Sequence, residues 1–171
     1  MQEEIKIELK RLRKEAVKPF YARPGDAGMD LCAACDLSIA PGECKAVPTG
    51  WALNIPPGYE VQIRPRSGLS LRTRLRIPNA PGTIDSGYKD ELAVLLYNAS
   101  SEHGDSAGRL LDIEEKDNRS GTYRIRRGDR IAQMVPARCA AAELVLTEAF
   151  TEGVADRGGG FGSSGVREEE A

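Results

Sequence analysis

Asn79-Ala80-Pro81-Gly82-Thr83-Ile84-Asp85-Ser86-Gly87-Tyr88-Lys89-Asp90-Glu91 carries an amide (Asn79), a carboxylate (Asp85) and an aromatic ring (Tyr88) within ten residues. An amide can read a base edge, a ring can pack on a sugar or base, and a carboxylate can take a proton from water. Pro81-Gly82 and Ser86-Gly87 supply turn chemistry, and Thr83-Ile84 between them suits a short strand, so the stretch is predicted to form a tight hairpin. Taken alone, the same residues also describe an ordinary surface turn.

A second group suits anions. Arg66-Ser67-Gly68 follows Pro65 and precedes Leu69 to Leu75, the clearest short stretch with helical spacing. A guanidinium, a hydroxyl and glycine amides at a helix start make a phosphate site, because the first N–H groups lack partners and the helix dipole favours negative charge. A serine N-cap beside a solvated arginine is the competing reading. Asp30 sits among small and apolar residues in Ala27-Gly28-Met29-Asp30-Leu31, as a functional carboxylate or a turn cap. Gln133 is the polar exception in the apolar run Ile131 to Pro136. Near the end, Arg157 and Phe161 punctuate a glycine-rich run. That run is either a disordered tail or a mobile arm with one cation and one ring, able to close over a phosphorylated, aromatic ligand.

The chain has one histidine, His103, in a polar stretch from Ser100 to Asp105. Serine–histidine and cysteine–histidine catalysis are therefore not expected, and a general base is expected to be a carboxylate. Cys32 and Cys35 have CxxC spacing, but no second such pair exists, so structural free thiols are expected over a zinc site.

These groups need a frame. The 171 residues suit one domain, and aromatics at 5% against 40% hydrophobic residues imply an aliphatic core. The net charge of -2 provides no global field for nucleic acid, so an anionic ligand must be held by local arginines. No apolar run reaches the roughly 18 residues of a membrane span, and the charged start is unlike a signal peptide. A cytoplasmic protein is expected. Ile5, Ile7 and Leu9 alternate with charged residues as in a half-buried strand. Residues 36–64 read as successive strands broken by Pro41-Gly42, Thr49-Gly50 and Pro56-Pro57-Gly58, the spacing of an all-β sandwich or barrel. Leu92 to Asn98 reads as a buried strand, and 100–122 as a long exposed loop. The expected division is a domain over 1–150 and a flexible arm over 151–171.

Taken together, five ordered motifs resemble the trimeric deoxyuridine triphosphatase family: Ala27 to Leu31, Pro65 to Leu69, Asn79 to Glu91, Arg127 to Gln133, and Arg157 to Ser163. The resemblance spans about Ile5 to Gly165. It implies a jelly-roll, β-clip-type subunit with one short helix in a three-fold homotrimer with shared active sites. The implied reaction is hydrolysis of dUTP to dUMP and pyrophosphate with magnesium, which limits uracil in DNA and supplies dUMP for dTMP synthesis. Asp85 would orient and deprotonate the attacking water. Arg66, Ser67, Gly68, Gln133, Arg157, Gly162 and Ser163 would bind phosphates. Asn79 and backbone groups from Gly82, Thr83 and Ile84 would read uracil, with Tyr88 under the deoxyribose and Phe161 over the base. Asp30 would help hold magnesium through water. Three features depart from the family pattern: Asp90 in place of glycine, Met29 in place of an aromatic residue, and an inserted surface loop at about 101–121. A deoxycytidine triphosphate deaminase on a related fold and a non-catalytic nucleotide-binding regulatory protein are the alternatives.

Overall fold

A computed structural model describes residues 4–101, 109–114, 119–150 and 153. Its elements are β1 (Glu8–Arg11), β2 (Met29–Cys32), β3 (Leu37–Ile39), β4 (Cys44–Pro48), β5 (Trp51–Asn54), β6 (Tyr59–Arg64), α1 (Ser67–Arg72), β7 (Leu75–Arg76), β8 (Gly82–Ile84), β9 (Ala93–Asn98), β10 (Leu110–Asp112), β11 (Thr122–Ile125) and β12 (Arg130–Arg138). The fold is an all-β jelly roll of short strands with one short helix. Among the described residues the strands form four sheets, ordered β1-β5, β10-β11-β3, β2-β12-β6-β8 and β4-β9-β7.

The alternation in sequence decides which face each strand buries. In β6, Val61 and Ile63 are buried at 0% and 4% exposure, while Glu60, Gln62 and Arg64 point to the other face. One aliphatic cluster joins residues from all four sheets, including Leu31, Ile39, Val47, Leu53, Val61, Val94, Ile125 and Met134. Tyr123 is the aromatic exception in this core; its hydroxyl accepts a hydrogen bond from the Arg74 N–H at 3.0 Å.

Several expectations change in detail. Strand β9 alternates, with Leu95 and Tyr97 exposed, and is not buried on both faces. The helix starts two residues before Leu69 and ends at Arg72, while Leu75 belongs to β7. Thr73 explains the stop. Its hydroxyl donates to the Leu69 carbonyl at 2.8 Å and accepts from the Leu75 N–H at 3.1 Å, and its backbone is extended. The stretch expected as one long loop contains β10, which pairs in parallel with β11. The chain separates into two units, Met1–Ala141 and Ala142–Ala171. That boundary lies before the expected one at 150/151. In the second unit, residues 142–150 are exposed, including Leu144, Val145, Leu146 and Phe150.

Candidate active site

The Asn79–Glu91 segment is a strand and a turn laid against the main sheet, not a self-contained hairpin. Strand β8 pairs antiparallel with β6, matching Ile84 to Val61, Thr83 to Gln62 and Gly82 to Ile63. The Ala80–Pro81 peptide is cis. The Asn79 amide folds back over Gly82, where a Cβ would lie 3.1 Å from Asn79 Nδ2 and 3.4 Å from Ile63 Cβ. Glycine at 82 thus lets the amide and the β8 backbone stand side by side.

Beyond β8, the Tyr88 N–H donates to the Asp85 carbonyl at 3.1 Å, closing a turn that leaves Asp85 exposed. The Tyr88 hydroxyl donates to the Glu91 carbonyl at 3.1 Å. Lys89 Nζ donates to the Ser86 carbonyl and to Asn54 Oδ1, both at 2.7 Å. The segment ends at Glu91, which accepts from Arg13 Nε at 2.6 Å, Arg13 Nη2 at 2.9 Å and the Gly50 N–H at 2.9 Å.

The Arg13 guanidinium, and then the Gly50 N–H, hold the Glu91 carboxyl below its ordinary value of 4.5. A carboxylate with a depressed folded-state pKa stabilises the fold above its unfolded value, and that contribution is lost as pH falls through the folded value. Glu91→Gln is therefore expected to lower Tm at pH 7. The gap to the unaltered protein should shrink below about pH 4.5. A gap that stays constant from pH 7 to pH 3 would count against the pair.

Arg66 is the N-cap residue of α1, with φ -92 and ψ 128 and no side-chain cap hydrogen bond. Ser67 is the first helical residue, so its hydroxyl does not serve as the N-cap. Arg72 turns back over this start, its Nε donating to the Gly68 carbonyl at 3.0 Å.

Asp30, 8% exposed in β2, faces two guanidinium groups. Arg66 Nε donates to Oδ1 at 2.7 Å and Arg66 Nη2 to Oδ2 at 3.5 Å, while Arg130 Nη1 donates to Oδ2 at 3.1 Å. Arg66 Nη1 also donates to the Arg130 carbonyl at 3.1 Å. Arg130 was not among the residues singled out by sequence; its signal was a Gly-Asp turn placing a cation at a strand start.

Gln133 is opposite Asp30 across the β12–β2 pairing and opposite Arg64 across β12–β6. Its Nε2 donates to the Pro65 carbonyl at 2.9 Å. Gln62, Arg64, Pro65, Ala80, Pro81 and Gln133 line a groove of about 490 Å³. A Cβ on Gly28 would fall 2.4 Å from Gln133 Oε1 and 3.1 Å from its Cδ. Gly28→Ala is accordingly expected to push the Gln133 amide aside and raise KM several-fold, with a small change in Tm because a flexible chain end can move. An unchanged KM would separate Gln133 from substrate binding.

All four cysteines are free, and burial pushes the Cys32 thiol up, which makes it a poor nucleophile at neutral pH. Among the described residues no cluster of three or more His, Cys, Asp or Glu side chains could hold a metal, and both Asp30 oxygens are engaged by arginines. Direct protein ligation of a metal does not fit this arrangement. A hydrated ion carried by a polyphosphate does, because magnesium keeps several waters and uses few carboxylates. His103, Arg157, Phe161, Gly162 and Ser163 lie outside the described residues.

A family model described as dUTPase matches residues 14–103. The chain belongs to the dUTPase family. It is 39% identical over 163 residues to a deoxyuridine 5'-triphosphate nucleotidohydrolase of Gloeothece citriformis, covering 95% of this chain and 98% of the relative. It is 42% identical over 165 residues to the enzyme of that name from Zymomonas mobilis, covering 95% and 99%. Among solved structures, a Staphylococcus bacteriophage 80alpha dUTPase variant with dUpNHpp aligns with a TM-score of 0.85 at 34% identity, covering 94% of this chain and 99% of that one. A dUTPase variant from phage phi11 of S. aureus, described for its coordination of a structural Mg(II) ion, aligns with a TM-score of 0.77 at 31% identity, covering 85% and 99%.

Proposed function

We propose that this dUTPase-family protein hydrolyses dUTP to dUMP and pyrophosphate through a water activated by Asp85. The observation that carries the reading is the exposed Asp85 carboxylate at the end of β8, one residue beyond the backbone that pairs with β6. Asp85 takes the proton of the attacking water at the α-phosphorus. The Asn79 amide and the backbone of Gly82 to Ile84 match the two carbonyl acceptors and single N–H donor of uracil. Cytosine leaves a buried polar group unpaired there, a mismatch that costs about 1–3 kcal/mol per group. Tyr88 packs under the deoxyribose, against a ribose 2′-hydroxyl.

Arg66, the Ser67 hydroxyl, the Gly68 N–H and Gln133 bind phosphate oxygens and stabilise charge on the departing pyrophosphate. Arg157, Gly162 and Ser163 close on the phosphates and Phe161 covers the uracil. Magnesium bound to the triphosphate would supply charge neutralisation, and Asp30 is the residue that would help hold it through water.

The protein acts as a homotrimer with shared sites. A groove of mixed polar and apolar lining on the first unit and an uncovered apolar row on the second support this. Ile5, Ile7, Leu9, Met29, Tyr59 and Met134 help line a groove of about 880 Å³. Leu144, Leu146 and Phe150 are at least 93% exposed. Light scattering should return a mass about three times the 18.5 kDa of one chain; a monomer mass would sink the assembly.

The activity is tested by offering dUTP, dCTP, dTTP and UTP with magnesium and measuring pyrophosphate and ammonia separately. Pyrophosphate from dUTP alone is expected. Ammonia from dCTP would favour a deaminase, and binding without either product a regulatory module.

A further inference from the structure

We infer that Arg13 is a positioning residue for sugar recognition: it fixes Glu91, whose carbonyl sets the Tyr88 ring that meets the deoxyribose. This assignment rests on the dUTP reading above, which places Tyr88 under the sugar. Arg13 lies outside the five motifs.

The turn from Asp85 to Glu91 is held differently at its two ends. At the start, β8 pairs with β6 up to Ile84, so Asp85 follows directly on a sheet. At the far end, the corner between β4 and β5 holds the backbone. The Leu92 carbonyl accepts from the Thr49 N–H at 3.0 Å and from the Thr49 hydroxyl at 2.7 Å, and the Leu92 N–H donates to the Trp51 carbonyl at 2.7 Å. The Tyr88 ring belongs to this second end, because its hydroxyl donates to the Glu91 carbonyl at 3.1 Å. The Tyr88 N–H bond to Asp85 shapes the turn but leaves the side-chain rotamer open. With Tyr88 39% exposed, packing alone does not fix that rotamer.

Residue 91 is fixed through its own side chain. Arg13 approaches as a fork, Nε to Oε1 and Nη2 to Oε2, and the Gly50 N–H reaches Oε1 as well. A bidentate pair fixes direction as well as distance. The Glu91 side chain is 25% exposed, so water does not fully screen the pair. Arg13 is placed in turn by the backbone. The Gly50 carbonyl accepts from the Leu12 N–H at 2.8 Å and the Arg13 N–H at 3.4 Å. A Cβ on Gly50 would fall 2.4 Å from Ala16 Cβ and 3.2 Å from Arg13 Cβ, so this segment is pressed against the corner. Gly50 thus holds Arg13 by its carbonyl and Glu91 by its N–H. A ring held at one tilt excludes a ribose 2′-hydroxyl, whereas a ring free to swing yields to it. Losing the fork should therefore cost sugar selectivity more than proton transfer at Asp85, which is anchored through β8.

Calorimetric affinities for dUpNHpp and its ribose counterpart UpNHpp, set beside kcat for dUTP, test the link. In Arg13→Gln the preference for the deoxyribose analogue should fall about fivefold to tenfold, while kcat stays within about threefold. Arg13→Lys keeps the charge without the fork and should fall between. Arg11→Gln removes a neighbouring guanidinium that acts on Lys14 and Trp51 rather than on the turn, and should leave the preference unchanged. Tyr88→Phe breaks the same link at its other end, so adding Arg13→Gln to it should change the preference by less than about twofold. An unmoved preference in Arg13→Gln, or full additivity with Tyr88→Phe, would overturn the positioning role. An equal loss in Arg11→Gln would reduce Arg13 to general stability. If Arg13→Gln fails to fold, Arg13→Lys decides on the same readout, and an unmoved preference there overturns the role. If dUTP is bound but not hydrolysed, the reading of the reaction fails while the two affinities still decide the link. Equal affinities in the unaltered protein would take Tyr88 off the sugar and end the positioning role with it.

Discussion

Asp85→Asn is expected to lower kcat for dUTP by about 10²–10⁴-fold while nucleotide binding persists. The amide has nearly the same shape as the carboxylate and cannot accept the proton from water. The turn does not depend on the side chain: the Asp85 carbonyl, not its carboxylate, accepts the Tyr88 N–H. The loop beyond is held by Lys89 on the Ser86 carbonyl and by Arg13 on Glu91. A variant that loses turnover should therefore keep its Tm and its affinity for dUpNHpp. Single-turnover rates set beside calorimetric affinity provide the measurement. Turnover within about tenfold of the unaltered protein would remove Asp85 from the role of base.

Ending the chain after Glu152 is expected to cut kcat/KM by about 10²-fold or more, through loss of Arg157 as a phosphate clamp and Phe161 as a cover. Every residue of the aliphatic core cluster lies between Leu31 and Met134, so the shortened chain should melt close to the full one. The affinity for dUMP, read by Asn79 and the β8 backbone, should fall far less than that for dUpNHpp. Full turnover by the shortened protein would make the tail a linker.

The all-β architecture was legible because strands such as β6 alternate cleanly, and the turns between them carry proline and glycine. The end of α1 was not, because Leu69 to Leu75 has helical spacing and the stop depends on one hydroxyl, that of Thr73, bridging two backbone groups. The exposed outer face of β9 was hidden behind a continuous apolar run, which reads the same whether or not both faces are covered. For the site, residue types pointed to Asp85, Arg66 and Gln133 as candidate chemistry-bearing groups. The sequence did not reveal that Asp30 meets Arg66 and Arg130, since those contacts span 36 and 100 residues. Nor did it reveal the bulge in β12, where Ala132 pairs with Leu31 and Arg130 with Cys32 while Ile131 is skipped, because a skipped pairing leaves no mark in residue types.

The bulge makes the count of residues in β12 matter as much as their identity. Removing Ile131 would restore regular pairing with Arg130 still opposite Cys32, on the face of Asp30 and Gln133, and would take a fully buried side chain out of the aliphatic core. Letter-by-letter alignment with a relative whose strand is regular would also equate residues that stand on opposite faces.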